Sequence, residues 1–141
     1  MKYFTFSELL KSETATRKGI PNRPSAKVLD NIQELVEKVL DPLREQWGSP
    51  LIVTSGYRCR RLNAAVGGSP TSQHMTGEAA DITALDKREN LALWELLVLL
   101  KKKLPLDQVI WEKGTSYPMW IHISHRSSSS GKKQRRQFFR Q

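Results

Sequence analysis

Between Ser25 and Trp47, apolar residues recur at Val28, Ile32, Leu35, Val36, Val39, Leu40, Leu43 and Trp47. This is the i, i+3, i+4, i+7 spacing of a helix with one apolar stripe, and a stripe of that length must be laid against another apolar surface. Pro42 has no N–H to donate, so the helix should kink there or restart after Leu40. Gly48-Ser49-Pro50 ends it. Short runs rich in β-branched residues offer the opposing surface. Residues 51–54 read as a buried strand. Residues 107–112 and 119–124 read as two more, joined through 113–118 by a hairpin-type connection. Asp86 followed by Glu89 has the pattern of a capping box and should open a second helix that runs to Lys101 and stops at Leu104-Pro105. Helices and strands are segregated along the chain and no internal repeat is visible. The expected class is α+β, a small antiparallel sheet with flanking helices.

A chain of 141 residues is long enough to bury one core without staples. Cys59 is the single cysteine, which excludes an internal disulfide framework and a four-thiolate zinc site. The longest apolar stretch, 91–100, is interrupted by Glu95 and falls short of the roughly 20 residues of a membrane span. Polar and acidic residues break the apolar runs of the opening MKYFTFSELLKSE, so no secretory signal is expected there and folding in a reducing cytoplasm is. The net charge of +9 is uneven: residues 126–141 carry six Lys or Arg and no acid. That stretch, with four serines and a glycine before Lys132-Lys133-Gln134-Arg135-Arg136, reads as a flexible basic tail following a domain over 1–125. Its expected partner is an anionic wall or membrane surface. Nucleic acid is a weaker candidate, because no interleaving of basic and aromatic residues extends into 1–125.

His74 and Asp81 lie seven residues apart, with Gly77, Ala79 and Ala80 between them. In the strand around 119–124, alternation puts Trp120, His122 and Ser124 on one face and Met119, Ile121 and Ile123 on the other. Two imidazoles and one carboxylate with an open fourth position match the ligand set of catalytic zinc. Spacing alone also allows structural histidines and an Asp81 that caps a helix or edges the core, and by itself favours them. No Gly-rich phosphate loop, His-Glu-x-x-His helix or Gly-x-Ser-x-Gly elbow points to another enzyme class.

Ser72-x-His74-x-x-Gly77-x-Ala79-x-Asp81 followed by Trp120-x-His122 resembles the zinc signature of the M15 peptidases. These are the D-alanyl-D-alanine carboxypeptidases and L-alanyl-D-glutamate endopeptidases, with a fold shared with the Hedgehog signalling domain. Ser55-Gly56-Tyr57-Arg58, Leu62-Asn63 and Val66-Gly67-Gly68 stand upstream in the family's order. Phe4-Thr5-Phe6-Ser7-Glu8-Leu9 and Asn22-x-Pro24 resemble its small phage and prophage branch. The resemblance runs from about Phe4 to about Ser124. It implies one zinc ion held by His74, Asp81 and His122, and hydrolysis of amide bonds in peptidoglycan stem peptides. It further implies that Arg58 steadies an oxyanion or a substrate carboxylate, and that Ser72 donates to substrate or supports the ligands. A turn-capping serine is the alternative for Ser72.

One position departs from the family. Many members carry an acid three places before the second zinc histidine, as general base; here it is Met119, and a thioether cannot move a proton. The resemblance offers Glu112 as the replacement, with Tyr117 and His125 as fallbacks, although His125 beside Arg126 reads as solvated. An inactive zinc-binding module that recognises peptidoglycan or a protein partner is the alternative function. The expected context is a monomeric, endolysin-like phage wall hydrolase, made in the cytoplasm and reaching the wall through a holin.

Overall fold

The computed structural model describes all 141 residues. Two short helices come first, α1 (Phe6–Leu10), closed by a Thr5/Glu8 capping box, and α2 (Glu13–Lys18), which ends on Gly19 in the left-handed region. The long apolar stripe forms α3 (Ala26–Leu35), a π-turn (Val36–Leu40) and α4 (Asp41–Trp47). The restart after Leu40 is where the missing N–H of Pro42 demands it: the Asp41 N–H reaches back to the Val36 carbonyl, and Pro42 enters at the first turn of α4. Next come β1 (Leu51–Ser55), α5 (Arg60–Ala65), a 3₁₀ turn (Gln73–Thr76) and β2 (Ala79–Ala84). Asp86 caps a second 3₁₀ turn (Lys87–Glu89) that leads into α6 (Asn90–Leu99). The hairpin strands β3 (Gln108–Glu112) and β4 (Trp120–Ser124) follow, and the chain ends in β5 (Gln137–Arg140).

The strands form one open sheet in the order β1-β2-β4-β3-β5, antiparallel except for the parallel β3–β5 pair. The fold is therefore α+β, as the segregation of elements implies. One face of the sheet carries the core. Ile82, Val109, Ile121 and Ile123 pack with Leu35, Val39 and Leu43 of the long helical arm and with Leu93 and Leu97 of α6, all buried. Strand alternation leaves Asp81 and His122 on the opposite face. That division frees the second face for chemistry.

Residues 126–141, expected as a flexible arm, are tied to the rest of the fold, Ser128 to Glu34 and Gln137–Arg140 to β3. Asp107 is fully buried and accepts both Nε and Nη2 of Arg135 at 3.0 and 2.7 Å, while Arg126 Nε lies 3.4 Å from the same carboxylate. Phe138 meets Trp94 edge to face at 5.6 Å, and the Arg140 guanidinium lies 3.9 Å from the Trp111 ring centroid. A buried anion and an apolar shelf on α6 hold what composition alone marks as solvated.

Candidate metal centre and its cleft

His74, Asp81 and His122 come together from three elements. His74 is buried on the 3₁₀ turn, whose first free N–H groups are capped by Ser72 Oγ (His74 N to Ser72 Oγ, 3.2 Å). Asp81 and His122 are Cα partners in the β2–β4 ladder. Asp81 Oδ1 stands 3.3 Å from His74 Nε2 and 3.1 Å from His122 Nδ1, and the imidazoles cross at 68° with centroids 5.1 Å apart. One donor atom from each residue falls within 4.8 Å of the others.

The chemistry of these donors fits a cation. The Gly56 carbonyl lies 2.7 Å from His74 Nδ1, and a carbonyl only accepts, so Nδ1 carries the hydrogen. With a hydrogen on Nδ1, the His74 ring directs Nε2 toward the point it shares with Asp81 Oδ1, 3.3 Å away. A divalent cation among the three side chains would take the Nε2 lone pair in place of a proton, and the Nδ1–H to carbonyl bond is the outer support of a metal-bound histidine. Burial alone would raise the pKa of Asp81; hydrogen bonds with His122 and His74 outweigh it and hold the carboxyl well below the usual range. The group is an anion ready to ligate.

One cleft of about 460 Å³ contains every site side chain singled out in the sequence except the fallbacks: Arg58, Ser72, His74, Asp81, Glu112 and His122. Among its lining residues only Ile110 and Trp120 are apolar, which suits an extended polar substrate and not a hydrophobic ligand. Glu112 ends β3 opposite Trp120, two residues before His122, and is half-buried. Burial raises its pKa and the Asp81 charge adds to this, with His122 and Lys113 pulling the other way. Met119 gives its N–H to the Glu112 carbonyl at 3.0 Å and lines a separate depression with the 114–117 turn. An acid is thus present in the cleft although position 119 supplies none.

Arg58 sends Nη2 to Ser72 Oγ at 3.4 Å, and its buried Nε has no protein partner. Ser72 serves both readings, capping the turn and facing the cleft. The fallbacks lie elsewhere. Tyr117 sits on the hairpin turn beside Met119. His125, expected in solvent, is buried between the Pro105 carbonyl (2.8 Å from Nδ1) and Glu34 Oε2 (2.5 Å from Nε2), where it pins α3 to the end of β4.

Three contributors escape sequence reasoning. The Gly56 carbonyl sets the His74 tautomer, and Gln108 and Arg135 line the cleft. Gly56 at least stands in the Ser55-Gly56-Tyr57-Arg58 motif, whereas Arg135 is one cation among several in a basic run. A family model described as peptidase M15 matches residues 2–124. No individual curated protein matches the chain.

Proposed function

The chain belongs to the peptidase M15 family, and from that premise we propose that it is a zinc-dependent hydrolase of amide bonds in peptidoglycan stem peptides, acting as a phage endolysin-like enzyme. The observation that carries this reading is the pairing of a tautomer-fixed His74, Asp81 and His122 with Glu112 in one polar cleft. Zinc held by the three side chains would supply Lewis acidity toward the scissile carbonyl and the attacking water. Glu112 takes the proton of that water on its carboxylate and returns it to the departing amine nitrogen, so amide and water give carboxylate and amine. Its raised pKa suits a group that must both accept and release a proton. Arg58, with an unengaged Nε, holds the oxyanion or a substrate carboxylate. The polar lining, with guanidinium groups of Arg58 and Arg135, supports a peptide bearing carboxylates.

The inactive-module alternative rests on Met119, whereas Glu112, an acid lining the same cleft as the three candidate ligands, supports the hydrolase. No helix is long and apolar enough to cross a membrane. Metal content and turnover of purified peptidoglycan test the proposal together. Stoichiometric zinc with release of muropeptides is expected, and zinc without cleavage would overturn the hydrolase.

A further inference from the structure

The metal cleft does not end at the metal. A second basin of about 350 Å³ shares Thr71, Ser72, Gln73 and Arg135 with it, so the two adjoin. No residue lining the second basin is apolar. Its far wall is the C-terminal segment beyond residue 124, contributing Arg126, Ser130, Lys132 and Arg135, outside the part of the chain that the family model matches.

The charges there are arranged, not scattered. Arg126 and Arg135 are both anchored on the one fully buried carboxylate of Asp107, which fixes two guanidinium groups while neutralising one. Glu78 is the acid of the basin, and its two oxygens already accept from Thr76 Oγ1 and Ser127 N–H, each at 2.6 Å. The Lys132 side chain is exposed and has no carboxylate partner. With Glu78 and the Asp107 anchor counted as anions, the three cations leave an excess of one positive charge. Asp107 holds the two guanidinium groups in place, so an anion settling against them meets part of its partners already ordered, with the exposed Lys132 beside them.

We infer that the C-terminal segment builds an anion subsite adjoining the metal cleft, and that it binds a carboxylate of the peptide substrate beyond the bond that is cut. The inference rests on the proposed peptidase reading, and its test is separable from that reading. The probes are a synthetic stem pentapeptide with a free D-glutamate α-carboxylate and the same peptide with that carboxylate amidated. Binding to the zinc-loaded full chain is measured by calorimetry, for wild type and Lys132→Glu. Wild type should prefer the acidic peptide, and Lys132→Glu should weaken it by about fivefold while leaving the amidated peptide and the zinc content unchanged. Where the peptides are cleaved, the change should fall on KM and not on kcat. Equal affinity of wild type for the two peptides would overturn the subsite. So would indifference to amidation combined with Lys132-dependent binding of a glycerol phosphate oligomer, which would make the ligand a polymer phosphate. Failure of both peptides to be hydrolysed would count against the peptidase reading alone, since the binding preference is read without turnover.

Discussion

Asp81 and His122 face each other as Cα partners in the β2–β4 ladder, with His122 Nδ1 3.1 Å from Asp81 Oδ1. Ladder register thus fixes two of the three candidate ligands before any metal arrives, and the third comes from the turn just before β2. A site assembled on backbone hydrogen bonds loses little entropy on binding.

Zinc should therefore bind one per chain and stabilise the fold by mass action, by about 2.7 kcal/mol at a free concentration a hundredfold above Kd. Thermal unfolding with and without zinc measures this. His122→Ala and Asp81→Asn should fold, since each side chain lies on the cleft face and away from the core, but should lose the zinc-dependent rise in Tm. A rise of the same size in both variants would place the metal elsewhere.

Glu112→Gln keeps the shape of the β3 end and removes only the ability to take a proton. Turnover should fall by about 10² to 10⁴ with zinc content unchanged. Adding Met119→Glu to that variant should restore nothing, because Met119 opens onto the 114–117 turn and not into the cleft. Recovery of activity in the double variant would show that the strand shifts to admit the family's usual base position.

The parts of this molecule legible in the sequence are those set by local pattern. The 3.6-residue stripe of 25–47 and the alternation of 120–123 each encode one face, and the structure keeps both, whereas Met119, expected beside Ile121 and Ile123, precedes β4 and lines the depression at 114–117. β2 is hidden because Ala79-Ala80-Asp81-Ile82-Thr83-Ala84 is mostly small residues of weak strand propensity, and its central place in the sheet comes from neighbours remote in sequence. The C-terminal strand is hidden for a related reason. Its cations look solvated until Asp107, 28 residues away, is seen to be buried beneath Arg135. His125 similarly depends on Glu34, 91 residues distant.

Asp107 gives the docking of that strand a pH dependence. Burial would raise its pKa, but hydrogen bonds from Arg135 prevail and lower it from the ordinary value of 3.8. Because the folded pKa is the depressed one, the stabilisation is complete above the ordinary value and is lost as pH falls through the lower folded value. Asp107→Asn should cost about 2 kcal/mol at neutral pH, a buried pair discounted for the partial exposure of Arg135. It should also flatten the acid limb of stability against pH. Denaturant unfolding followed by the fluorescence of Trp94 and Trp111, which contact β5, measures both. An unchanged acid limb in the variant would remove Asp107 from the account.

Gly56 provides a test of the support behind His74. A Cβ at this position would stand 2.2 Å from the Leu9 carbonyl oxygen and 2.9 Å from Leu9 Cα, all backbone atoms of α1 that no rotamer change can clear. The same stretch is tied down on both sides. Tyr57 N–H donates to the Leu9 carbonyl at 2.7 Å, and Asn22 bridges the Leu10 and Tyr57 carbonyls while accepting from Cys59 N–H. Gly56→Ala must then push the backbone toward the cleft or away from α1, and either movement displaces the carbonyl that holds His74 Nδ1. Zinc affinity should fall by about 10- to 100-fold, the usual cost of losing an outer-sphere partner, with stability reduced by about 1–3 kcal/mol for an overpacked site. Competition for zinc with a chromophoric chelator measures the first and urea unfolding of the metal-free protein the second. A stability loss with unaltered zinc affinity would mean that His74 is oriented by its own turn and by Ser72, and that the Gly56 carbonyl is a bystander.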